Sequence, residues 1–341
     1  MNKRRLLSMC LSRLGLLPFL RKLGKQSPSL KILAYHRVMD IDENNYLFDE
    51  HLVDSTIADF EQQMKYLSQH FRVLPLTEAY AEFQRTEDPN IVAVTFDDGF
   101  DDLYMNVFPI VKKYQIKPTM FLTTGLIGTN TTLWTEELVF ALKSNLGQSL
   151  RLECLNHGEE TLIDKASVSD IIKRLLLALK KMPDEQRHKT CSQVKQQLGV
   201  SDVQHSDSKM LNWEMVQEMS EWGIEFGSHS VKHSILTNLS HEEMLNELKL
   251  SKSQLETELS KSCKTLAYPV GGAGAFNQSV IEATKEAGYE VACSYLSGVV
   301  GVKESTPLSL KRLHIDSSVD MDWFKGMLSM PEYLAANFIS D

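Results

Sequence analysis

Ile91-Val92-Ala93-Val94-Thr95-Phe96-Asp97-Asp98-Gly99 is an apolar run that ends in two adjacent carboxylates and a glycine. The first six residues read as a strand buried on both faces, the pattern of a parallel sheet covered by helices. Gly99 permits the tight turn that brings both acids out at the strand's C-terminal end, where barrel enzymes keep their chemistry. Two carboxylates so close repel each other unless one is neutral or a cation stands between them.

Similar runs recur along the chain. Strands are expected at Lys31 to Tyr35, Arg72 to Leu74, Thr119 to Leu122, Ile224 to Ser228, Thr265 to Tyr268, Val291 to Tyr295 and Leu310 to Ile315. With Ile91 to Phe96 they make seven or eight, a barrel count, and amphipathic helical stretches alternate with them. Ser240 to Leu259 is one such stretch: Ser240 and Glu243 form a capping box, and Met244, Leu248, Leu255 and Leu259 share an apolar face. The interval from about 128 to 211 breaks the rhythm. Its charged helical sequence has no clear strand and reads as an insertion over one face of the barrel, either shaping a substrate cleft or serving as padding.

With 341 residues, 43% of them hydrophobic, the chain has enough apolar surface for a full core. Its net charge of -9 is unevenly spread. Lys3, Arg4, Arg5, Arg13, Arg21, Lys22 and Lys25 occupy the first 25 residues without one acid, leaving 29 basic against 45 acidic groups elsewhere. So acidic a body argues against nucleic acid as a partner. Residues 1–26 form a separate basic segment in which Leu6, Leu7, Cys10, Leu11, Leu14, Leu17 and Leu20 recur at helical spacing. Arg13 interrupts that run and no small-residue cleavage site follows, so a peripheral membrane contact through residues 3–25, or a helix packed on its own domain, is expected over a signal peptide. Five scattered cysteines suggest reduced thiols and not a disulfide frame.

Three further strand ends carry candidate chemistry. Phe226-Gly227-Ser228-His229-Ser230-Val231-Lys232-His233 places two histidines at i and i+4, on one face if the segment makes a helical turn. With one carboxylate of Asp97-Asp98 they make the two-nitrogen, one-oxygen set of a catalytic zinc site. Tyr35-His36-Arg37-Val38 puts His36 at the end of the first strand, as a catalyst or an ordinary strand-end histidine. Tyr268-Pro269-Val270-Gly271 closes another strand in a turn whose backbone N–H groups can face a developing oxyanion.

The combination Thr-Phe-Asp-Asp-Gly, His-Ser-x-x-His and Tyr-Pro-x-Gly resembles the polysaccharide deacetylases, the NodB-homology domains of carbohydrate esterase family 4. The early Tyr-His-x-Val is similar to the circularly permuted branch that includes poly-N-acetylglucosamine deacetylases. The resemblance covers roughly residues 30 to 320 apart from the insertion. It implies a distorted (β/α)7 barrel over 27–330 and a divalent metal, zinc foremost. Carried over by position, it makes Asp97 the general base, Asp98, His229 and His233 the metal ligands, His36 the general acid and the Val270 N–H the oxyanion donor. Two positions depart from the family pattern. Ala267 stands where an arginine usually braces the catalytic aspartate, and Val270 stands where an aromatic is usual. Arg312, on the last expected strand, is a candidate for the missing cation.

The expected activity is therefore removal of N-acetyl groups from amino sugars of a polysaccharide or lipid-linked glycan. The alternatives are hydrolysis of another C–N bond, as in a cyclic amide or imide, and a silent glycan-binding envelope protein. Cysteine usage points to the cytoplasm, at the inner face of a membrane, whereas the family's habit points to the periplasm or envelope. Oligomeric state is open at this stage.

Overall fold

The computed structural model describes residues 3–23, 28–152, 154, 159–200, 208–302 and 306–334. Seven parallel strands close into a ring: β1 (Ser29–Tyr35), β2 (Ile91–Phe96), β3 (Thr119–Leu122), β4 (Glu225–Ser228), β5 (Thr265–Ala267), β6 (Val291–Ser297) and β7 (Leu310–His314). They follow one another around the ring in chain order, and β1 pairs with both β2 and β7. The β1–β7 seam is short, joining Leu33 to Leu313 and Ala34 to His314, and β6 slips register against β7 between Cys293 and Ser297. These irregularities make the barrel uneven. Arg72 and Val73 pair with the start of β2 outside the ring, so that expected strand belongs to the sheet but not to the barrel.

Strand alternation sorts side chains into two cores. Leu30, Ile32, Ile91, Ala93, Phe121, Ala267, Cys293 and Leu310 pack inside the ring. Leu33, Val92, Val94 and Met120 face the surrounding helices. The helix Leu76–Thr86 closes the N-terminal mouth with Leu76, Ala79 and Phe83, and the Leu76 N–H donates to Thr119 Oγ1 at 2.8 Å. The barrel is thus filled from below, which leaves the C-terminal rim as its open end.

The insertion has its own framework. Helices Trp134–Lys143, Lys165–Leu179 and Asp184–Gln197 share a separate apolar cluster that includes Leu138, Leu142, Ile171, Leu175, Leu179 and Val194. Contrary to the expectation of no strand, Ser149–Arg151 and Glu159–Thr161 form a small antiparallel ladder. Its alternation is too short to show as a pattern in sequence. The capping box expected at Ser240 and Glu243 starts the helix His241–Leu259.

The N-terminal helix Lys3–Arg13 packs on the helix Met321–Ser329, and Gly15 in left-handed conformation (φ 67°) separates it from a second short helix, Leu17–Leu23. Among the described residues no helix is long and apolar enough to cross a membrane. All five cysteines are unpaired.

Candidate active site

Asp97 and Asp98 leave β2 in opposite directions because two consecutive residues take left-handed backbone: Asp98 at φ 74° and Gly99 at φ 93°. At Gly99 the left-handed backbone favours glycine, and a Cβ there would press on the Leu122 and Ile127 side-chain methyls at 2.9 and 3.2 Å. The turn is fixed by backbone bonds from Asp97 N to Tyr35 O (2.9 Å) and from Thr123 N to Asp98 O (3.1 Å).

Asp97 meets the barrel interior. Arg312 of β7 holds it in a two-pronged pair, Nη1 to Oδ1 and Nη2 to Oδ2, both 2.7 Å. The guanidinium is fully buried and is itself held by Ser294 O (3.0 Å) and Thr95 Oγ1 (3.3 Å). Small interior residues, Ala267 and Cys293, leave space for it beneath the rim. Burial works against the charge on Asp97, yet Arg312, with His229 and His36 nearby, holds its carboxyl well below the usual carboxylate range.

Asp98 meets the histidine loop instead. Its Oδ1 lies 3.5 Å from His229 Nε2 and 3.5 Å from His233 Nε2, and no hydrogen bond reaches that oxygen. The two imidazoles come together without a helix: 229–233 is an irregular loop with Ser230 (φ 63°) and His233 (φ 55°) in left-handed conformation. The expected helical turn is therefore not the reason the rings meet. Glu247, on the helix His241–Leu259, accepts from the N–H of Val231 (2.9 Å) and Lys232 (3.2 Å), and Ser228 Oγ accepts from the Ser230 N–H (3.1 Å). His229 Nδ1 bonds the Ala267 carbonyl at 2.8 Å, which keeps the proton there and leaves Nε2 free to ligate.

These three donors fit a small divalent ion. Their atoms lie within 4.8 Å of one another, and all three residues are buried. The 3.5 Å separations from Asp98 Oδ1 approach the roughly 3.3 Å edge of a tetrahedron with zinc-like bond lengths. Burial, reinforced by His229, pushes His233 well below its usual pKa and keeps its imidazole neutral, as a metal donor would need. Burial, with Asp97 adding to it, pushes Asp98 up, a shift that a cation at this place reverses.

His36 stands across the cavity. Its Nδ1 is 3.0 Å from Asp54 Oδ2, and the same oxygen accepts the His36 backbone N–H. Burial opposes its charge, but Asp54 outweighs burial and raises His36 to about 9. Tyr295 packs 5.4 Å from His36, centroid to centroid, and stacks on His314 at 3.8 Å. Val270 is strained, a β-branched residue at φ 63°, and is kept there by Gly272 N to Val270 O (2.6 Å) and Tyr295 N to Gly271 O (2.7 Å).

The four strand ends line one cavity of about 320 Å³ that contains His36, Asp97, Asp98, His229, His233, Val270, Tyr268 and Tyr295. Leu133 and Thr135, at the start of the insertion, and its Leu176 and Lys180 complete the wall, so the insertion shapes the cleft. A neighbouring cavity of about 690 Å³ shares Asp49, His51, Leu176 and Lys180 with it. Sequence reading missed Asp54, Tyr295, Glu247 and Lys180. Asp54 is one of several acids between 40 and 59, and nothing in its local spacing marks it as the partner of His36.

A family profile described as polysaccharide deacetylase matches residues 84–292, which include Asp97, Asp98, both histidines and Val270 but neither His36 nor Arg312. A putative polysaccharide deacetylase of Bacillus subtilis (strain 168), YxkH, is 21% identical over 236 residues, 68% of this chain and 56% of that protein. A poly-beta-1,6-N-acetyl-D-glucosamine N-deacetylase of Staphylococcus aureus (strain MSSA476) is 32% identical over 117 residues, 32% of this chain and 40% of the relative. The chain thus spans about half the length of these relatives. The structure of a Streptococcus pyogenes deacetylase, PplD, in complex with acetate superposes with a TM-score of 0.57 at 19% identity, over 86% of this chain and 94% of that one. With more than half of its length matched by the family profile, and with a closed seven-stranded parallel barrel around the matched residues, the chain belongs to the polysaccharide deacetylase family.

Proposed function

We propose that the protein is a metal-dependent hydrolase that removes N-acetyl groups from amino sugars of a polysaccharide or lipid-linked glycan. The observation that carries this reading is the division of labour between neighbours. Asp97 is kept ionised by Arg312, while Asp98, His229 and His233 form a buried donor set beside it.

In this reading Asp98, His229 and His233 would hold a divalent ion, zinc by the chemistry of the donors, which would supply Lewis acidity toward water and the amide carbonyl. Asp97 accepts the proton of the attacking water, and Arg312 keeps it charged and oriented for that task. The Val270 N–H faces the oxygen that gains charge as the carbonyl carbon becomes tetrahedral. His36, held as imidazolium by Asp54, donates its proton to the amide nitrogen as the C–N bond breaks. Acetate and a free amino sugar leave. The larger cavity that shares Asp49, His51, Leu176 and Lys180 with the catalytic one supports an elongated substrate over a small cyclic amide.

The test is acetate release from N-acetylglucosamine oligomers and N-acetylated glycolipids by the zinc- or cobalt-loaded protein. Acetate from neither class, with metal bound normally, would refute the proposal.

A further inference from the structure

The N-terminal helix is docked inside out. Its polar residues face the body: Arg5 pairs with Asp320 at 2.7 Å, Ser8 Oγ bonds the Asp322 carbonyl at 2.7 Å, and Ser12 Oγ bonds Asp322 Oδ1 at 2.6 Å. Ser8 is fully buried. Positions 3, 6, 7, 10, 13 and 14 follow helical spacing on the other side, and all six are exposed. They are Lys3, Leu6, Leu7, Cys10, Arg13 and Leu14.

Past the turn at Gly15, Leu17 is buried while Leu16 and Phe19 stand out. Leu6 (44%), Leu7 (49%), Leu14 (70%), Leu16 (42%) and Phe19 (61%) supply five of the twelve exposed large hydrophobic side chains among the described residues, within fourteen positions. Scattered exposed leucines need no explanation, but a cluster of this kind marks a surface that something covers.

Charge and position indicate what covers it. The stripe carries Lys3 at one end and Arg13 at the other, and Arg13 keeps 70% of its side chain exposed despite a 3.4 Å contact with Asp322. The nearest acids, Asp320 and Asp322, are already engaged by Arg5, Ser12 and Arg13. No acid occurs in the first 25 residues. Leucines bounded by basic side chains are complementary to acyl chains beneath anionic headgroups.

The helix also sits at the catalytic end of the barrel. Asp320 and Asp322 open the helix Met321–Ser329 just beyond the C-terminal end of β7, the end of the barrel at which the cavity with Asp97 and Asp98 lies. We infer that Leu6, Leu7, Leu14, Leu16 and Phe19, with Lys3 and Arg13, form a membrane-facing surface that seats the catalytic rim on a bilayer with anionic headgroups. The inference does not depend on the reaction catalysed.

Co-sedimentation of the full chain with vesicles of phosphatidylcholine, with and without about 30 mol % phosphatidylglycerol, tests it. The wild-type chain sediments with the anionic vesicles, and high salt or removal of the anionic lipid weakens this severalfold. The triple variant Leu6→Glu, Leu14→Glu, Phe19→Glu binds about ten-fold less while keeping the wild-type melting temperature, since the replaced side chains are exposed. Failure of the wild-type chain to sediment overturns the inference, as does undiminished sedimentation of the variant. A stable dimer in light scattering that the variant splits also overturns it, because the stripe is then covered by a second copy.

Discussion

The two sides of the Asp97-Asp98 turn both bury a carboxylate, and they compensate it in opposite ways. On the barrel side the chain supplies the countercharge itself, through the two-pronged contact of Arg312 with Asp97. On the loop side it supplies lone pairs: Asp98 Oδ1 has no hydrogen-bond donor and faces two imidazole nitrogens. A buried carboxylate paired with arginine is a finished structural unit, whereas one grouped with imidazole nitrogens is a donor set suited to a cation. In the proposed mechanism the first side sets protonation and orientation, and the second sets metal affinity.

The comparison breaks most directly at its centre. Asp97→Asn is expected to lower kcat about 10²–10⁴-fold while metal content, measured by elemental analysis of the purified protein, stays at the wild-type level. His229→Ala is expected to lose both. If Asp97→Asn also stripped the metal, the two sides would not be separable.

Arg312→Ala leaves Asp97 buried and uncompensated, and is expected to cost about 3–5 kcal/mol in denaturant unfolding. Because Arg312 holds the folded-state pKa of Asp97 below its unfolded value, this contribution is present above the unfolded pKa of about 3.9 and disappears as pH falls through the folded one. The gap between wild type and variant should thus be full near neutrality and narrow in acid. A gap that stayed constant with pH would locate the cost in lost packing instead.

On the loop side, a divalent ion at 100 times its dissociation constant should stabilise the wild-type chain by about 2.7 kcal/mol, and should not stabilise Asp98→Ala. Thermal unfolding with zinc and with a chelator reads this. The smallest effect is expected at Asp54→Asn, which removes the carboxylate that raises His36 to about 9. The alkaline limb of the pH–rate profile should move to lower pH while the acid limb stays in place. An unmoved alkaline limb would mean that His36 is not the proton donor.

Much of the barrel is legible in the chain because parallel strands buried on both faces are written as unbroken apolar runs. Ile91 to Phe96 and Lys31 to Tyr35 are of this kind, as their complete burial shows. The start of the helix His241–Leu259 is legible for a similarly local reason, since a capping box is satisfied within four residues. The histidine loop was legible in composition but not in shape, because its form depends on Glu247, which belongs to another element. The N-terminal helix shows the same limit: its periodicity marks an apolar stripe, but only docking through Arg5, Ser8 and Ser12 decides that the stripe faces outward.

The sequence by itself determined which strand ends bring the candidate residues to one rim, because buried runs, the glycine after Asp98 and the residue types at the strand ends are local properties. Tertiary structure alone decided how those residues are poised. Arg312 reaches Asp97 across 215 positions and Asp54 reaches His36 across 18, and the insertion closes a wall of the cavity with Leu176 and Lys180. The physical reason is that a carboxylate's charge state depends on desolvation and on neighbouring charges in space, and ring closure, not sequence spacing, brings those neighbours together.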